Sequence, residues 1–360
     1  MITPADEWHV HQTPEPIAVA GTDRNFYDRS YFGGYTADGS LLFAAAFGIY
    51  PHLNVADAHF TVVRGDVQEC LHASKILHSD RSVLEVGPIS IGIEVPLRTL
   101  RLKVLAHDGL AADLVFSGRH FPIEEPRFMH RFGPRAFMDY TRMTQGARVS
   151  GWIALDGERL ELGDQGLGVR DRSWGVRPVG ARDPQPLAPA RPPQFFWLWT
   201  PTHLPGRCAF WHLNADEHGR AWNTAAVLCP DGAGADGLIH GHGEMLLDLD
   251  AGSRWPDSGT LSVTPSEGAA PYELRYEPIT RLQMLGIGYS HPTWSHGVLR
   301  GELDVERETF RLSEVDEASP TQLHRQVLCR VQCSSGGAVE QGVGFLEHLL
   351  LGASAPYGLS

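Results

Sequence analysis

The chain has 360 residues, of which 42% are apolar and 20% are charged, so it is long enough to bury a large core or two packed domains. Thirty basic against 43 acidic side chains give a formal net charge of −13, which argues against nucleic acid or an anionic membrane surface as a partner. The sequence contains no apolar run of membrane-spanning length, and its start lacks the pattern of a signal peptide, which predicts a cytoplasmic protein without membrane insertion. The five scattered cysteines are expected to be reduced, mostly buried thiols.

Short apolar runs with little helical periodicity predict an all-β chain. In chain order, the predicted strands include residues 41–47, 59–63, 82–86, 100–105, 112–116, 195–199, 208–213, 261–264, 299–305, 326–331 and 343–350. Turns containing Asp and Gly occur at residues 37–39, 155–157, 216–219 and 230–232. Such turns predict antiparallel hairpins. One stretch, from Gln68 to His78, also fits a helix, because Cys70, Leu71 and Ile76 would then share a face.

The number of predicted strands indicates more than one domain. About 18 strands exceed what one closed barrel or sandwich usually holds, so we predict two antiparallel β domains in tandem. We place them at residues 1–160 and 161–360. The proline-rich segment from Ala181 to Pro193 is expected to be a surface loop or a lid, because prolines lack the N–H donors of a sheet ladder.

The most unusual segment is GLGVRDRSWGVRP at residues 166–178, where charged residues and an indole stand inside a predicted strand. Period-two geometry places Arg170, Arg172 and Trp174 on one face and Asp171 on the other. An arginine beside an indole can stack on it and still bind a carboxylate or phenolate, while neighbouring groups can hold a buried Asp ionised or protonated. An Arg–Asp network that only seals a domain seam explains the segment equally well.

Three stretches together resemble a known superfamily: residues 169–177, residues 195–199 (FFWLW) and residues 342–347 (GVGFLE). They are similar to the lipocalin-like superfamily that includes AttH-type proteins and the bacterial carotenoid 1,2-hydratases, also called hydroxyneurosporene synthases. The resemblance spans most of the chain. It implies two tandem lipocalin-like β-barrel domains and an activity that protonates an alkene and adds water without a redox cofactor.

The chain departs from the hydratase pattern at one position. The hydratases carry Asp-His-x-Trp-Gly, which Asp171 and Trp174 match, whereas Arg172 replaces the histidine. Because a guanidinium is always protonated and is a poor general acid, proton transfer here needs another donor. The resemblance therefore predicts a divergent member of the superfamily.

Several other residues are candidate proton donors. Tyr140, beside Arg142 in an alternating run, is a candidate acid or base, although a tyrosine hydroxyl in a β domain also fits a structural hydrogen bond. Because the histidine side chain as a type ionises near neutral pH, His291 and His296 are candidates to carry a proton from the cavity wall, or else they are exposed loop residues.

Glu347 lies in a strongly apolar strand, where an unpaired carboxylate would be costly. It must be paired, protonated or facing a polar cavity. Arg170 or Arg172 is its simplest expected partner, and a raised pKa that makes it an acid is the functional alternative.

Substrate contacts are predicted from a loop and from an aromatic set. Tyr50 and Asn54 follow an apolar strand and suit a barrel mouth, or else they belong to a turn with a solvated His52. Trp197 and Trp199 share one strand face and can wall an apolar pocket, or simply form core.

No metal or nucleotide site is predicted. His240, His242 and Glu244 share a strand face, but the flanking glycines indicate a flexible turn. His9 and His11 lie in a terminus expected to be disordered. The sequence has neither a phosphate-binding loop nor a nucleophile elbow.

These features lead to the prediction of a cofactor-free lyase, a hydratase or dehydratase, that acts by acid–base chemistry on a hydrophobic isoprenoid or aromatic small molecule. The predicted catalytic residues are Asp171, Arg172, Trp174, Tyr140, His291 and Glu347. The predicted substrate-binding residues are Tyr50, Asn54, Arg142, Trp197, Trp199, Trp294 and His296. A non-catalytic carrier of an apolar ligand, an isomerase or cyclase of the same superfamily, and a homodimer all remain open.

Overall fold

A computed structural model describes residues 2–9, 18–19, 21, 23–182, 193–267 and 269–360, and within them the chain is all-β, as predicted. The strands up to residue 176 are β1 (Phe26–Thr36), β2 (Leu42–Tyr50), β3 (Val55–Arg64), β4 (Val67–Ile76), β5 (Glu85–Val86), β6 (Ile89–Val95), β7 (Thr99–His107), β8 (Leu110–Gly118), β9 (Ile123–Glu124), β10 (Phe128–Phe132), β11 (Arg135–Leu155), β12 (Glu158–Glu161) and β13 (Gly166–Val176).

The strands after residue 176 are β14 (Phe195–Trp199), β15 (Thr202–Leu204), β16 (Arg207–Ala215), β17 (Ala221–Pro230), β18 (Ile239–Asp248), β19 (Ser258–Pro265), β20 (Tyr272–Gln283), β21 (Leu303–Arg311), β22 (Arg325–Ser335) and β23 (Ala338–Leu351). The described helices are single 3₁₀ turns at Pro4–Glu7, Pro51–Leu53, Ala235–Gly237, Met284–Ile287, Leu312–Glu314 and Ala355–Tyr357. No helix among the described residues is long and apolar enough to cross a membrane.

The strands form two antiparallel sheets, which are two lipocalin-like barrel domains. The first runs β21-β4-β3-β2-β1-β13-β11-β8-β7-β6-β5, with β9, β10 and β12 also pairing with β11. The second runs β14-β16-β15-β23-β22-β20-β19-β18-β17, and the pairings β14–β23 and β16–β17 close it into a ring. β21 comes from the second half of the chain but pairs with β4 of the first sheet.

The change from the first to the second sheet occurs after β13, because β13 ends at Val176 and β14 begins at Phe195. The predicted division at residues 160/161 therefore falls inside the first sheet. The proline-rich segment lies between these strands, and residues 183–192 of it are outside the described residues.

The predicted helix from Gln68 to His78 is wrong, because these residues form β4. One face of β4 packs Leu71 and Ala73 into the core of the first sheet, and its other face buries Cys70 as well. A strand buried on both faces loses the apolar–polar alternation by which a strand is recognised. The predicted strand at 82–86 is shorter in the structure, where only Glu85–Val86 is extended, and the strand predicted at 299–305 begins later, at Leu303, and continues to Arg311.

Three large apolar cores hold most of the buried apolar side chains of the described residues. One fills the first sheet, one fills the second, and the third lies between the two sheets. At this junction Tyr31 of β1 packs edge-on against Trp199 of β14, with ring centroids 6.0 Å apart, and Tyr35 packs against Phe345 of β23 at 4.9 Å. All five cysteines are buried free thiols, as predicted.

Candidate functional site between the sheets

Buried polar side chains line the face of the first sheet that packs against the second. Register places Tyr31 of β1, Asp171 of β13 and Thr144 of β11 side by side across three strands. The next row contains Arg29 and Arg142. All five are buried. They lie on one face, because residues two apart along a strand point to the same side of a sheet, and so do residues directly opposite each other on neighbouring strands.

The second sheet contributes Glu347 and its hydrogen-bond donors. Trp197 Nε1 donates to Glu347 Oε1 over 2.9 Å, His324 Nε2 lies 2.9 Å from the same oxygen, and Gln326 Nε2 donates to Oε2. Tyr31 donates its hydroxyl to Gln326 Oε1 over 2.7 Å and so joins the sheets. We call this group the inter-sheet cluster: Arg29, Tyr31, Arg142, Thr144 and Asp171, with Trp197, His324, Gln326 and Glu347.

These donors determine the protonation state of Glu347. Burial acts to raise its pKa, but the hydrogen bonds from His324, Gln326 and Trp197 outweigh burial, and the pKa is lowered. Glu347 is therefore a carboxylate. The expectation that Arg170 or Arg172 pairs with it is wrong, because both arginines lie on the opposite face of β13.

Asp171 has the opposite electrostatics. Burial raises its pKa to about 6, although Arg142 and Arg29 act to lower it. Glu125 and Glu347 add to the rise by repulsion. Its Oδ1 has no hydrogen-bond partner among the described residues. A buried carboxyl group that holds its proton to near neutral pH is suited to act as a general acid.

Arg142 does not neutralise Asp171 because it is committed to Glu125. Its Nε and Nη2 donate to the two oxygens of Glu125 over 3.0 and 2.7 Å, and Thr144 donates its hydroxyl to Oε1 over 2.5 Å. The guanidinium also lies 4.6 Å from the ring centroids of both Phe128 and Trp197. Arg142 is thus a fixed, paired part of the wall.

The other face of β13 holds Arg172, and this predicted catalytic residue lies away from the inter-sheet cluster. Arg172 Nη1 donates to Asp28, and Nε and Nη2 donate to the carbonyls of Glu7 and Trp8 over 3.3 and 2.7 Å. The N-terminal segment thus encloses the guanidinium. Trp174 lies beside it, with the ring centroid 5.8 Å from Arg172 Cζ.

The same segment encloses Arg170, whose Nη2 lies 2.8 Å from Glu7 Oε1 in an ion pair that is poorly aligned for a hydrogen bond. On this face of β13 the two arginines thus pair with carboxylates of β1 and of the N-terminal segment, and they do not seal the seam between the two sheets. His9 belongs to the same segment and is buried, so its expected disorder is wrong. His11 lies outside the described residues.

Two predicted residues extend the inter-sheet cluster with aromatic surface. Tyr140 stacks on Phe128 with ring centroids 4.5 Å apart, and burial raises its pKa, so its hydroxyl stays neutral. Trp199 is buried, and its Nε1 has no hydrogen-bond partner among the described residues. Of the predicted residues, the structure thus brings together Asp171, Glu347, Tyr140, Arg142, Trp197 and Trp199.

The predicted residues of the 286–297 segment lie in a second polar group beside β3 and β4. His291 Nε2 lies 2.8 Å from a Glu308 oxygen, and Trp294 Nε1 donates to Glu306 over 3.0 Å. His296 is buried near Asp57. The alternative interpretation, that these histidines are exposed loop residues, is therefore wrong.

Tyr50 joins this second group by donating its hydroxyl to Asp57 Oδ1 over 3.1 Å. Asn54, in contrast, is exposed in a left-handed turn conformation, with φ of 54°, and its side chain accepts a hydrogen bond from the Ser79 amide. Asn54 therefore belongs to a turn, as the alternative interpretation predicted, and His52 is exposed beside it.

Sequence reasoning missed several members of these groups. Glu125 precedes a proline in a connecting segment and carries no recognisable pattern. Asp57 and His59 gave a usable signal, because two polar residues at alternate positions of an apolar strand share a face that has to be buried. The weighed ligand set His240, His242 and Glu244 is exposed along one face of β18.

A family model matches residues 2–360. The chain belongs to a family of unknown function, DUF8625. Its fold is similar to that of an AttH-type protein from Nitrosomonas europaea, with a TM-score of 0.52 and 14% identity over 90% of this chain and 92% of that chain. A kievitone hydratase from Nectria haematococca gives a TM-score of 0.48 and 13% identity over 89% and 88%. No protein of curated function matches the sequence. The AttH likeness confirms the predicted lipocalin-like fold for this DUF8625 chain.

Replacing Arg172 tests its structural placement. Arg172→Met leaves Asp28, which is fully buried, without its closest cation, so the free energy of unfolding in urea should fall by about 3 kcal/mol. Arg64→Met is the matched control, because its ion pair with Glu158 is exposed, and it should change stability by less than about 1 kcal/mol. Equal stability of the two variants would contradict the structural role.

The pKa of Asp171 predicts a pH dependence of stability. Its folded value of about 6 lies above the unfolded value of about 3.9, so between these pH values the folded state binds more protons. Stability should therefore fall as pH rises through this window, by on the order of 2 kcal/mol. Urea unfolding of Asp171→Asn at a series of pH values should lack this component, and a variant with the wild-type slope would contradict the assignment.

Proposed function

We propose that the inter-sheet cluster is the active site of a lyase that adds water to, or removes it from, a hydrophobic isoprenoid or aromatic small molecule. The observation that carries the proposal is the opposite pKa shift of two buried carboxyl groups, raised at Asp171 and lowered at Glu347. Two titratable groups driven apart in this way are suited to serve as acid and base in one reaction. Asp171 also occupies the position that matches the Asp of the hydratase motif.

In the hydration direction, protonated Asp171 transfers its proton to one carbon of an alkene and becomes a carboxylate. Glu347 takes a proton from the water that attacks the adjacent, positively charged carbon. Elimination runs through the same steps in reverse: protonated Glu347 gives its proton to the leaving hydroxyl group, and Asp171, as a carboxylate, removes the proton from the neighbouring carbon. Between turnovers, Glu347 returns its proton to solvent and Asp171 is reprotonated, so the reaction consumes no electrons.

The aromatic rings supply the environment that such a reaction requires. The π faces of Trp197, Trp199 and Tyr31 can stabilise a positively charged carbon. Arg142 adds no net repulsion because Glu125 neutralises it. Two of the orphaned polar atoms here, Asp171 Oδ1 and Trp199 Nε1, give a substrate hydroxyl one partner of each kind.

Asp171 and Glu347 are only 7% and 6% exposed. A substrate therefore reaches them only when neighbouring side chains move. Exclusion of bulk water after binding would strengthen the electrostatic interactions of the site.

The proposal is tested with a panel of prenylated aromatic and terpenoid alkenes and alcohols, with products identified by a gain or loss of one water in their mass. Asp171→Asn should lower kcat by about 100-fold or more, the usual effect of losing a general acid. The control is Asp113→Asn, which removes a carboxylate of β8 that pairs with Arg101 of β7, and this variant should retain activity. Wild-type turnover by Asp171→Asn would overturn the proposal.

The pH profile and the product identity add independent readouts. In the hydration direction kcat/KM should fall as pH rises through about 6, because the acid must be protonated. A product of unchanged mass would indicate an isomerase or cyclase instead. Ligand recovered unchanged after long incubation would indicate a carrier.

A further inference from the structure

A separate group of buried ligand-type atoms lies beside β3, outside the inter-sheet cluster. Asp57 and His59 occupy alternate positions of β3, and His296 reaches them from the segment after β20. One oxygen or nitrogen atom of each residue lies within 4.8 Å of the others. His59 Nε2 and both ring nitrogens of His296 have no hydrogen-bond partner among the described residues. We call these three residues the Asp57 site.

A chain of buried imidazoles and carboxylates surrounds this site. His59 Nδ1 and His72 Nδ1 are 2.8 Å apart, so one proton lies between them. The outer nitrogens of the two imidazoles face two carboxylates. His59 Nε2 lies 3.8 Å from Asp57 Oδ1, and His72 Nε2 lies 3.5 Å from Glu308 Oε2. Neither outer nitrogen has a hydrogen-bond partner among the described residues.

The neighbouring histidine, His291, shows the geometry of a hydrogen-bonded imidazole and carboxylate in this region. His291 Nδ1 accepts hydrogen bonds from the amides of Thr293 and Trp294, at 3.0 and 2.8 Å, so its proton is on Nε2 and is donated to Glu308. That contact is 2.8 Å long. Where an imidazole and a carboxylate in this region share a proton, they are thus in hydrogen-bond contact.

Around Asp57 the corresponding distances are longer. Asp57 Oδ1 is 3.8 Å from His59 Nε2 and 3.8 Å from His296 Nδ1, beyond hydrogen-bond length in both cases. Two ligand atoms of a tetrahedral zinc site, each about 2.0–2.1 Å from the ion, lie about 3.3 Å apart. Small movements of the side chains would bring the three atoms to this spacing.

We propose that Asp57, His59 and His296 bind a divalent transition-metal ion of the zinc class. The ion lies between the two imidazoles and the carboxylate and gives the unpaired imidazole nitrogens a partner. Two imidazole nitrogens and one carboxylate oxygen are a donor set that such ions accept, and three protein ligands leave at least one coordination position open.

The residues around the site hold its ligands in orientation. Asp57 accepts a hydrogen bond from Tyr50 at Oδ1 and another from the Gly297 amide at Oδ2, over 2.6 Å. His72 Nδ1 accepts a hydrogen bond from His59 Nδ1, and this leaves His59 Nε2 as the ligand atom. Hydrogen bonds of this kind to metal ligands set their tautomer and direction.

Gly288 leaves the ligand nitrogens uncovered. Its φ is +92°, and a Cβ built there would lie 2.8 Å from His59 Nε2 and 3.0 Å from His296 Cε1. A side chain at this position would occupy the space beside both imidazoles. His291 is not a ligand, because a metal on its Nε2 would displace the proton that its doubly hydrogen-bonded Nδ1 cannot carry.

The test is the metal content of the full-length protein. Protein purified without chelator and then dialysed should retain one equivalent of a divalent transition metal, measured by inductively coupled plasma mass spectrometry. Chelator-treated wild type should bind one equivalent of Co²⁺, with visible d–d absorption bands, and added Zn²⁺ should raise its Tm. Wild type with neither bound metal nor a Co²⁺ spectrum would overturn the proposal, and the site would then hold a proton.

Variants locate the ion. His59→Gln and His296→Gln should each lose the stoichiometric metal and the Co²⁺ bands. The double variant His240→Gln/His242→Gln removes two exposed strand histidines and should keep both. Loss of the metal from this double variant, or its retention by the two single variants, would contradict the assignment. If the single variants fail to fold, the wild-type stoichiometry and the double variant still decide the outcome.

Tyr50→Phe tests the supporting hydrogen bond. This variant removes the donor to Asp57 and keeps the ring, so it should still bind one equivalent of Co²⁺ but about 10-fold more weakly, as is usual for residues that orient a ligand. Competition with a coloured chelator measures the change, and Tm checks the fold. Unchanged affinity would show that the hydroxyl does not position Asp57.

Discussion

The central strands of the first sheet are buried on both faces, so every polar side chain on them has to find a partner inside the protein. On β13 the side chain of Arg172 faces the N-terminal segment, whereas that of Asp171, its neighbour, faces the second sheet. A buried charge without a partner is costly enough to shift a pKa or to disrupt the packing. The partner available on each face therefore decides whether a residue is structural or chemically active.

Three arginines of this region are each matched by a carboxylate. The pairs are Arg142 with Glu125, Arg172 with Asp28, and Arg170 with Glu7. Glu347 has only neutral or imidazole donors, which is enough to keep it ionised. Asp171 has neither, because the two nearest guanidinium groups are held by other partners. Its raised pKa is thus a consequence of how the surrounding charges are distributed.

Local patterns in the sequence revealed the strands, their turns and the polar residues of β13, because these depend on neighbours within a few positions. Period-two geometry also separated Asp171 from Arg172 correctly. It could not show which face would meet the second sheet, since Arg172 pairs with Asp28, 144 residues away. Glu347 depends on His324, 23 residues earlier and on the other side of a turn. Such pairings arise only when the sheets assemble.

The two polar groups share one face of the first sheet, and their unpaired atoms are not a sign of loose packing. Thr61 lies two residues after His59 on β3 and faces the same side of the sheet. It donates its hydroxyl to a backbone carbonyl and accepts a hydrogen bond from Gln68 of β4. Gln68 also bonds both the amide and the carbonyl of Gln283. Since Thr61 and Gln68 on this face are fully hydrogen-bonded, the same face could also supply a hydrogen-bond partner at His59. The unpaired nitrogens there, like Asp171 Oδ1, are therefore the positions at which the two proposals expect a bound species to complete the structure.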